Sequence, residues 1–195
     1  MQVLRLADLV AKPWKNGGGS TREYLVHPPG AGAEGFFWRI SRARVDRHCA
    51  FSIFPGIDRT LSVVEGDTID LGFRNRVVRL DRTTPPYRFR GEETILCRIP
   101  GRAIEDLNVM TDRSYWRHEV TRRRIEAATV LDFAGDHALV VAVSALSADT
   151  IDGTIDLAAG DAIHLDAPGR LALAPLDRPG EVLVVRLDHI ATARA

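Results

Sequence analysis

Arginines, amides and hydroxyls recur through residues 1–110 and are the side chains of this sequence best suited to ligand chemistry. An arginine guanidinium binds a carboxylate through two parallel hydrogen bonds, and asparagine or serine recognises an amide or formyl group. The residues predicted to converge on one pocket are Asn16, Arg22, Glu23, Arg39, Ser41, Ser52, Asp58, Arg59, Asp106 and Asn108. This set predicts a binding site for a small carboxylate-bearing ligand.

A structural interpretation of the same residues stays open. In that interpretation Asp58 and Arg59 only brace the corner at Pro55-Gly56, and Glu23 pairs with Arg22. Each residue taken alone supports both interpretations. Convergence of the whole set on one pocket favours ligand binding.

A run of three glycines lies between Asn16 and Arg22 and follows the aromatic Trp14. Glycine loses much conformational entropy on folding, so an ordered triplet predicts positive φ angles or a close approach of other groups to the backbone. The exposed amides of such a loop suit an anion. The GxxxxGK[ST] phosphate-loop pattern is absent, and a flexible loop is the alternative interpretation.

Enzymatic chemistry has weaker support in the sequence. There is no nucleophile elbow of the GxSxG type. A metal-free isomerase or hydrolase remains the alternative, with Glu23, Asp58 or His48 transferring a proton, and such a base needs a perturbed pKa close to the substrate. Cys49 and Cys97 lack CxxC spacing and are expected to be reduced thiols buried on strands.

The elements that must position these side chains read as β-strands. Residues 36–45 alternate, with Trp38 and Ile40 on one face and Arg39 and Ser41 on the other. Because successive side chains of a strand point to opposite faces, Arg39 and Ser41 line a pocket only if their face is the inner one.

Short strands with turn signals every 8 to 12 residues predict an all-β fold. Residues 51–71 read as a β-meander with a corner at Gly66-Asp67. A second Gly-Asp corner, Gly160-Asp161, also opens a strand. The two corners suggest an internal repeat, although a match this short also arises by chance.

Composition narrows the classes of partner. The chain has 195 residues with 26 basic and 26 acidic side chains, which disfavours binding to nucleic acid or to a phospholipid surface. Charged residues near the N-terminus interrupt the apolar run that a signal peptide needs, so a cytoplasmic location is expected. The basic stretch 117–124 is typical of a solvated edge strand, and pairing of such edges would allow a homodimer.

Four motifs together resemble the HutD/Ves family. They are residues 13–23 (PWKNGGGSTRE), residues 38–41 (WRIS), residues 51–59 (FSIFPGIDR) and residues 106–110 (DLNVM). The resemblance implies a cupin-type, RmlC-like jelly-roll double barrel, with one cupin-like module in residues 1–110 and a second in 111–195. It also implies an association with histidine utilisation or, in the Ves branch, with stress responses.

The cupin resemblance allows a test for metal binding. Metal-binding cupins carry a pattern like HxHxxxxE, then six intervening residues, then glycine, and counting back from Gly66 puts the carboxylate position at Arg59. An arginine there repels a divalent cation. The histidines elsewhere are scattered, so no metal and no cofactor are expected.

The leading hypothesis is a non-enzymatic protein that binds a negatively charged amino-acid catabolite. The family resemblance suggests an intermediate of histidine degradation, such as urocanate or N-formylglutamate. Two alternatives stay open: the metal-free enzyme, and a protein-interaction module that uses its β edges and the basic segment.

Overall fold

A computed structural model describes residues 1–32 and 35–190 of the chain, and these residues form an all-β structure. The strands are β1 (Gln2–Leu4), β2 (Ala11–Pro13), β3 (Gly19–His27), β4 (Trp38–Val45), β5 (Cys49–Ala50), β6 (Ile57–Glu65), β7 (Thr68–Gly72), β8 (Val77–Asp81), β9 (Tyr87–Arg90), β10 (Leu96–Arg98), β11 (Ile104–Asp112), β12 (Trp116–Ile125), β13 (Thr129–Phe133), β14 (His137–Ala142), β15 (Leu146–Thr150), β16 (Gly153–Leu157), β17 (Ala162–Leu165), β18 (Gly169–Pro175) and β19 (Gly180–His189). A single 3-10 turn, Leu6–Asp8, is the helical element of the described residues. The all-β prediction is confirmed, and among these residues no helix is long and apolar enough to cross a membrane.

The chain divides into two compact units. The N-terminal unit contains Leu9–Arg117 with residue 190, and the C-terminal unit contains Met1–Asp8 with His118–His189. Strand β1 belongs to the C-terminal unit because it pairs with β17. Each unit has two sheets, and none of the four sheets in the described residues closes on itself into a barrel.

The two units share one strand order. In the N-terminal unit β4-β11-β6-β9, extended by β2 and β3, form one sheet, and β5-β10-β7-β8 form the other. In the C-terminal unit β12-β19-β14-β17, extended by β1, form one sheet, and β13-β18-β15-β16 form the other. In the first sheet of each unit, β4 corresponds to β12, β11 to β19, β6 to β14 and β9 to β17. In the second sheet, β5 corresponds to β13, β10 to β18, β7 to β15 and β8 to β16. An internal repeat predicts this correspondence.

The Gly-Asp corners do not mark that repeat. Gly66 lies between β6 and β7, whereas Gly160 lies between β16 and β17, which correspond to β8 and β9. Both glycines have positive φ angles, +88° and +92°, so each corner needs glycine for local reasons. The meander prediction for residues 51–71 is wrong, because β6 and β7 belong to different sheets and Gly66 carries the chain from one to the other.

An apolar core joins the two sheets of the N-terminal unit. Leu61 and Val63 on β6 pack in one cluster with Ile69 and Leu71 on β7. All four side chains are almost completely buried, and each contributes about 1.5–3 kcal/mol of favourable burial. The face of β6 that carries Leu61 and Val63 is therefore the inner face of its sheet.

The C-terminal unit has its own core, which includes Val140, Leu146, Ile163 and Leu171. The basic stretch predicted to be an edge forms β12, the outermost strand of the five-stranded sheet. One of its arginines, Arg122, is paired with Glu181.

Candidate functional site

Strand register brings the polar residues of three strands together on the six-stranded sheet. Strand β11 lies between β4 and β6, so that Asn108 is opposite both Ser41 and Leu61. Directly opposed residues of an antiparallel pair point to the same face. Because Leu61 points into the core, the same inner face carries Glu23, Arg39, Ser41, Arg59, Asp106 and Asn108. We call these six residues the polar cluster.

Alternation along β11 explains why polar residues reach an apolar interior. Asp106 and Asn108 point to the inner face, while the buried Leu107 and Val109 point to the other face. The prediction that Arg39 and Ser41 share a face, opposite to Trp38, is confirmed by the same register.

Arg59 is the more deeply buried of the two arginines in the cluster and is only 7% exposed. Its guanidinium Nη2 and Nε donate to Asn108 Oδ1 at 3.3 and 3.4 Å, and Nη1 donates to the Ser52 carbonyl oxygen at 3.5 Å. These contacts are longer than the usual 2.7–3.2 Å or so. Within the part of the chain that the structure describes, no carboxylate forms an ion pair with Arg59. The Arg59 guanidinium can therefore still donate strong hydrogen bonds to a ligand.

Three aromatic rings enclose the Arg59 guanidinium. Its central carbon lies 5.0 Å from the ring centre of Phe89, 5.3 Å from that of Phe51 and 5.7 Å from that of Phe54. Rings at this distance attract a cation through their quadrupole and offset part of the lost hydration. Burial, together with the neighbouring charge of Arg39, lowers the pKa of Arg59 to about 10. The group therefore keeps its positive charge at pH 7.

The remaining arginine of the cluster is already neutralised. Arg39 Nε donates to Glu23 Oε2 at 2.7 Å. Both side chains stay partly exposed, so this pair forms the solvent side of the cluster. Ser41, by contrast, is 3% exposed and lies between them and Asn108.

Asp106 is the most deeply buried acid of the cluster. Its side-chain oxygen Oδ1 is buried and has no hydrogen-bond partner among the described residues. Burial raises the pKa of Asp106 to about 7, although the charge of Arg59 acts in the opposite direction. A buried oxygen without a hydrogen-bond donor lowers the stability of the folded protein, and a ligand that donates to this atom would remove that cost.

A cavity of about 400 Å³ lies beside two residues that contact Arg59, although its lining includes none of the six residues of the polar cluster. Ser52 and Phe54 line it, and both also contact Arg59, through the carbonyl oxygen and the ring respectively. The volume is in the range of small-molecule sites. A larger cleft of about 570 Å³ lies beside Phe73 and Arg76, but Arg76 is occupied by Glu93 at 3.0 Å. The smaller cavity is therefore the better candidate entrance.

Four residues of the sequence-predicted set lie outside the cluster or contribute differently. Asp58 lies on the face opposite to Arg59 and is held by Arg88 and Arg113, whose hydrogen bonds outweigh burial and lower the pKa of Asp58. Arg22 is on the face opposite to Glu23 by the same alternation. The other two are loop residues: Asn16 accepts from the Gly18 amide at 3.0 Å, and Ser52 offers its carbonyl oxygen.

The three glycines are required for two reasons. Gly17 has a φ angle of +67°. A Cβ atom at Gly18 would lie 2.9 Å from the Cys49 sulfur, and one at Gly19 would lie 2.0 Å from the Arg44 carbonyl oxygen. Both predicted causes, positive φ and close approach, are confirmed. The loop therefore packs closely against Arg44 of β4 and Cys49 of β5.

Sequence reasoning missed the aromatic enclosure. Phe51 and Phe54 belong to the motif of residues 51–59, but no role was predicted for them. Phe89 lies in a stretch whose double proline predicts an irregular conformation. That stretch contains β9, an edge strand that begins right after Pro86. Proline is compatible with an edge strand, and the Tyr-Arg-Phe-Arg alternation of residues 87–90 was the available signal.

The two cysteines lie opposite each other, Cys49 on β5 and Cys97 on β10. Both thiols are free, as expected, but only Cys97 is fully buried. Elsewhere in residues 1–32 and 35–190, no three His, Cys, Asp or Glu side chains come together as a metal site. The absence of a metal stays a prediction.

We expect both thiols to react slowly in the folded protein. Burial is the largest cause that raises the pKa of Cys49 and of Cys97. Because the thiolate is the nucleophile, the native protein at pH 8 should react with Ellman's reagent at least about tenfold more slowly than free cysteine. Unfolding should make both thiols react at the rate of free cysteine. Fast labelling of native protein, or no free thiol after unfolding, would contradict this expectation, and Cys97→Ala should leave one slow thiol.

Solved structures of cupins share the architecture described above. A cupin 2 conserved barrel domain protein from Leptotrichia buccalis superposes with a TM-score of 0.64 at 11% identity, covering 96% of each chain. Identity this low shows the fold alone. The paired sheets and the polar cluster on an inner face make this protein a cupin-like β protein with a small-molecule-sized cavity.

The chain belongs to the HutD family, whose model matches residues 6–184. An uncharacterized 21.2 kDa protein in the hutC 3' region of Pseudomonas putida is 33% identical over 150 residues, covering 74% of this chain and 78% of that protein. Protein Ves of Citrobacter koseri is 28% identical over 145 residues, covering 74% and 73%. The structure of HutD from Pseudomonas fluorescens SBW25 superposes with a TM-score of 0.81 at 25% identity, covering 97% and 99%.

Proposed function

We propose that this protein binds a carboxylate-bearing amino-acid catabolite, an intermediate of histidine degradation such as urocanate or N-formylglutamate, and that binding serves a regulatory role in histidine utilisation. The observation that carries the proposal is Arg59, a buried guanidinium that no carboxylate of the described residues pairs with. A buried charge without a partner is unfavourable, and a ligand carboxylate would supply the partner.

The two carboxylates that the sequence offers as proton acceptors, Glu23 and Asp58, are both held in ion pairs. Glu23 is paired with Arg39, and Asp58 is paired with two arginines on the opposite face of its strand. An ion-paired carboxylate with a lowered pKa, as Asp58 has, is a poor proton acceptor at pH 7. The acid-base roles considered for these residues therefore have little physical support.

The choice of a histidine catabolite rests on the family. Relatives are named HutD and a protein of the hutC 3' region, and these names suggest a link to histidine utilisation. Urocanate and N-formylglutamate each carry a carboxylate for Arg59. The second group of each ligand, an imidazole or a formyl amide, would meet Asn108 or Ser41, which hydrogen-bond such groups.

The shared strand order of the two units supports a bicupin, in which each unit is one cupin-like module. The cluster described above belongs to the N-terminal module. At the position of the metal carboxylate this module has Arg59, which suits an anion in place of a cation.

A thermal-shift titration tests the proposed function. Metal-stripped protein is titrated with urocanate, N-formylglutamate, histidine and glutamate. At a ligand concentration of about 100 Kd, binding adds roughly 2.7 kcal/mol to the free energy of unfolding. For a chain of this length, the Tm then rises by about 5 to 10 °C. If none of the four compounds raises the Tm, the histidine-pathway ligand is excluded.

A further inference from the structure

Asp106 and Arg59 lie on the same inner face of the six-stranded sheet. Asp106 is 2% exposed, and its Oδ1 has no partner within the described part of the chain. Arg59 is close enough that the two groups influence each other's pKa, yet they form no hydrogen bond. Within the described residues, Oδ1 of this buried acid therefore has no donor, and a ligand could supply one.

The charged and titratable groups around Asp106 are few. The neighbours are Arg59 on β6, Arg39 on β4 with Glu23 on β3, Cys49 on β5, Cys97 on β10, and Arg42 and Glu105 from the opposite face. Both thiols have raised pKa values and stay neutral at pH 7. Arg39 and Arg42 are each paired with glutamate. Arg59 is the cation left to balance any added negative charge.

An incoming carboxylate changes the balance for Asp106. The anion brings a negative charge toward a carboxyl group that burial already disfavours in its ionised form. Two carboxylates that share one site cannot both ionise easily, so one takes a proton. The protonated Asp106 then has an O–H to donate, and the bound carboxylate has a lone pair to accept it.

We infer that the polar cluster binds its carboxylate together with one proton, which Asp106 holds as the neutral acid and donates in a hydrogen bond to the ligand, while Arg59 supplies the positive charge. This inference rests on the proposed function and deepens it. It favours catabolites whose amino group has been removed or acylated, because an α-ammonium beside Arg59 and a neutral Asp106 would be repelled by the guanidinium and would gain no compensating charge from Asp106.

The sign of the pH dependence follows from linkage. Free Asp106 has a pKa of about 7 and the bound anion raises the pKa further, so binding takes up a proton above pH 7. Affinity is full at lower pH and falls as the pH rises, about fivefold from pH 7 to 8 and close to tenfold from pH 8 to 9.

Calorimetric titration with N-formylglutamate tests the inference. Both carboxylates of this probe stay ionised from pH 6 to 9, so any proton exchanged belongs to the protein. Titrations in phosphate and in Tris, which differ in ionisation enthalpy, count the protons. We expect uptake of about half a proton at pH 7, rising toward one at pH 8.

The variant Asp106→Asn provides the matched comparison. Its amide donates a hydrogen bond at every pH, so the affinity should become independent of pH between 6 and 9 and should exceed the wild-type affinity at pH 9. Asp106→Ala, which lacks the donor, should bind more weakly than Asp106→Asn at pH 6. Asp58→Asn, on the opposite face, should keep the wild-type pH dependence.

Melting temperatures of the same variants confirm that they fold. The folded-state pKa of Asp106 is raised above the unfolded value, so its contribution to stability is present at low pH and is lost as the pH rises to about 7. Relative to wild type, the Tm of Asp106→Asn should therefore increase from pH 5 to pH 8.

Three results would overturn the inference while leaving the proposed function standing. The first is wild-type affinity that does not change from pH 6 to 9, and the second is release of protons on binding. The third is tighter binding of histidine than of N-formylglutamate. If N-formylglutamate and urocanate fail to bind at any pH, the proposed function fails, and the inference fails with it.

Discussion

Replacing Arg59 with methionine should reduce the affinity for the catabolite by about 30-fold to 4,000-fold. Removal of one partner of a buried, hydrogen-bonded charge pair costs about 2–5 kcal/mol, since the other charge is left in the site without a partner. In this site the guanidinium is the single cation without a carboxylate among the described residues of the cluster. Calorimetry or the thermal-shift titration measures the loss directly.

The same substitution should leave the stability of the ligand-free protein unchanged or higher. Arg59 is buried among Phe51, Phe54 and Phe89, where an apolar side chain of similar length also packs. Replacing a buried charge by a hydrophobic residue is often neutral or stabilising. Lost binding with a preserved Tm would separate a ligand role from a structural one.

Two control variants sharpen the Arg59 experiment. Arg59→Lys keeps the charge without the planar fork and should bind with intermediate affinity. Asp58→Asn removes the neighbouring carboxylate on the opposite face and should leave the affinity at the wild-type value. Wild-type affinity in Arg59→Met would refute the assignment of the anion site.

The variant Gly19→Ala should lose about 3 kcal/mol of stability or more, or fail to fold. Its Cβ would lie 2.0 Å from the Arg44 carbonyl oxygen and 3.1 Å from the carbonyl carbon. These atoms are backbone of β4, which pairs with β3 at this point, so no side-chain rotation relieves the overlap. The expected fall in Tm is about 6 to 12 °C or more.

Another glycine of the same loop, Gly17, supplies the control. A Cβ atom at Gly17 would have no neighbour within 4 Å, and the positive φ is its single obstacle. Gly17→Ala should therefore cost about 1–2 kcal/mol. Denaturant unfolding of both variants compares the two causes within one loop. Equal stability of Gly17→Ala and Gly19→Ala would show that β3 and β4 do not approach as closely as described.

Alternation within single strands was readable from the sequence. The pattern of residues 36–45 placed Arg39 and Ser41 on one face, since side chains two positions apart on a strand point the same way. The same rule separates Asp58 from Arg59 and Arg22 from Glu23. Each pair was predicted to enter one pocket, yet adjacent residues of a strand point to opposite faces, so only one member can enter.

The sequence by itself determined the all-β class, the family and the need for glycine at residues 17–19, because these depend on local pattern and on steric limits of the backbone. Only the tertiary structure decided which face of each strand is the inner one. It also placed Phe89, from an edge strand, against Arg59, and it left Asp106 Oδ1 without a partner. Opposed residues of the site lie 18 positions apart for Glu23 and Ser41 and 67 apart for Ser41 and Asn108. This register follows from the packing of two sheets around a common core, and alternation within one strand carries no information about its partners.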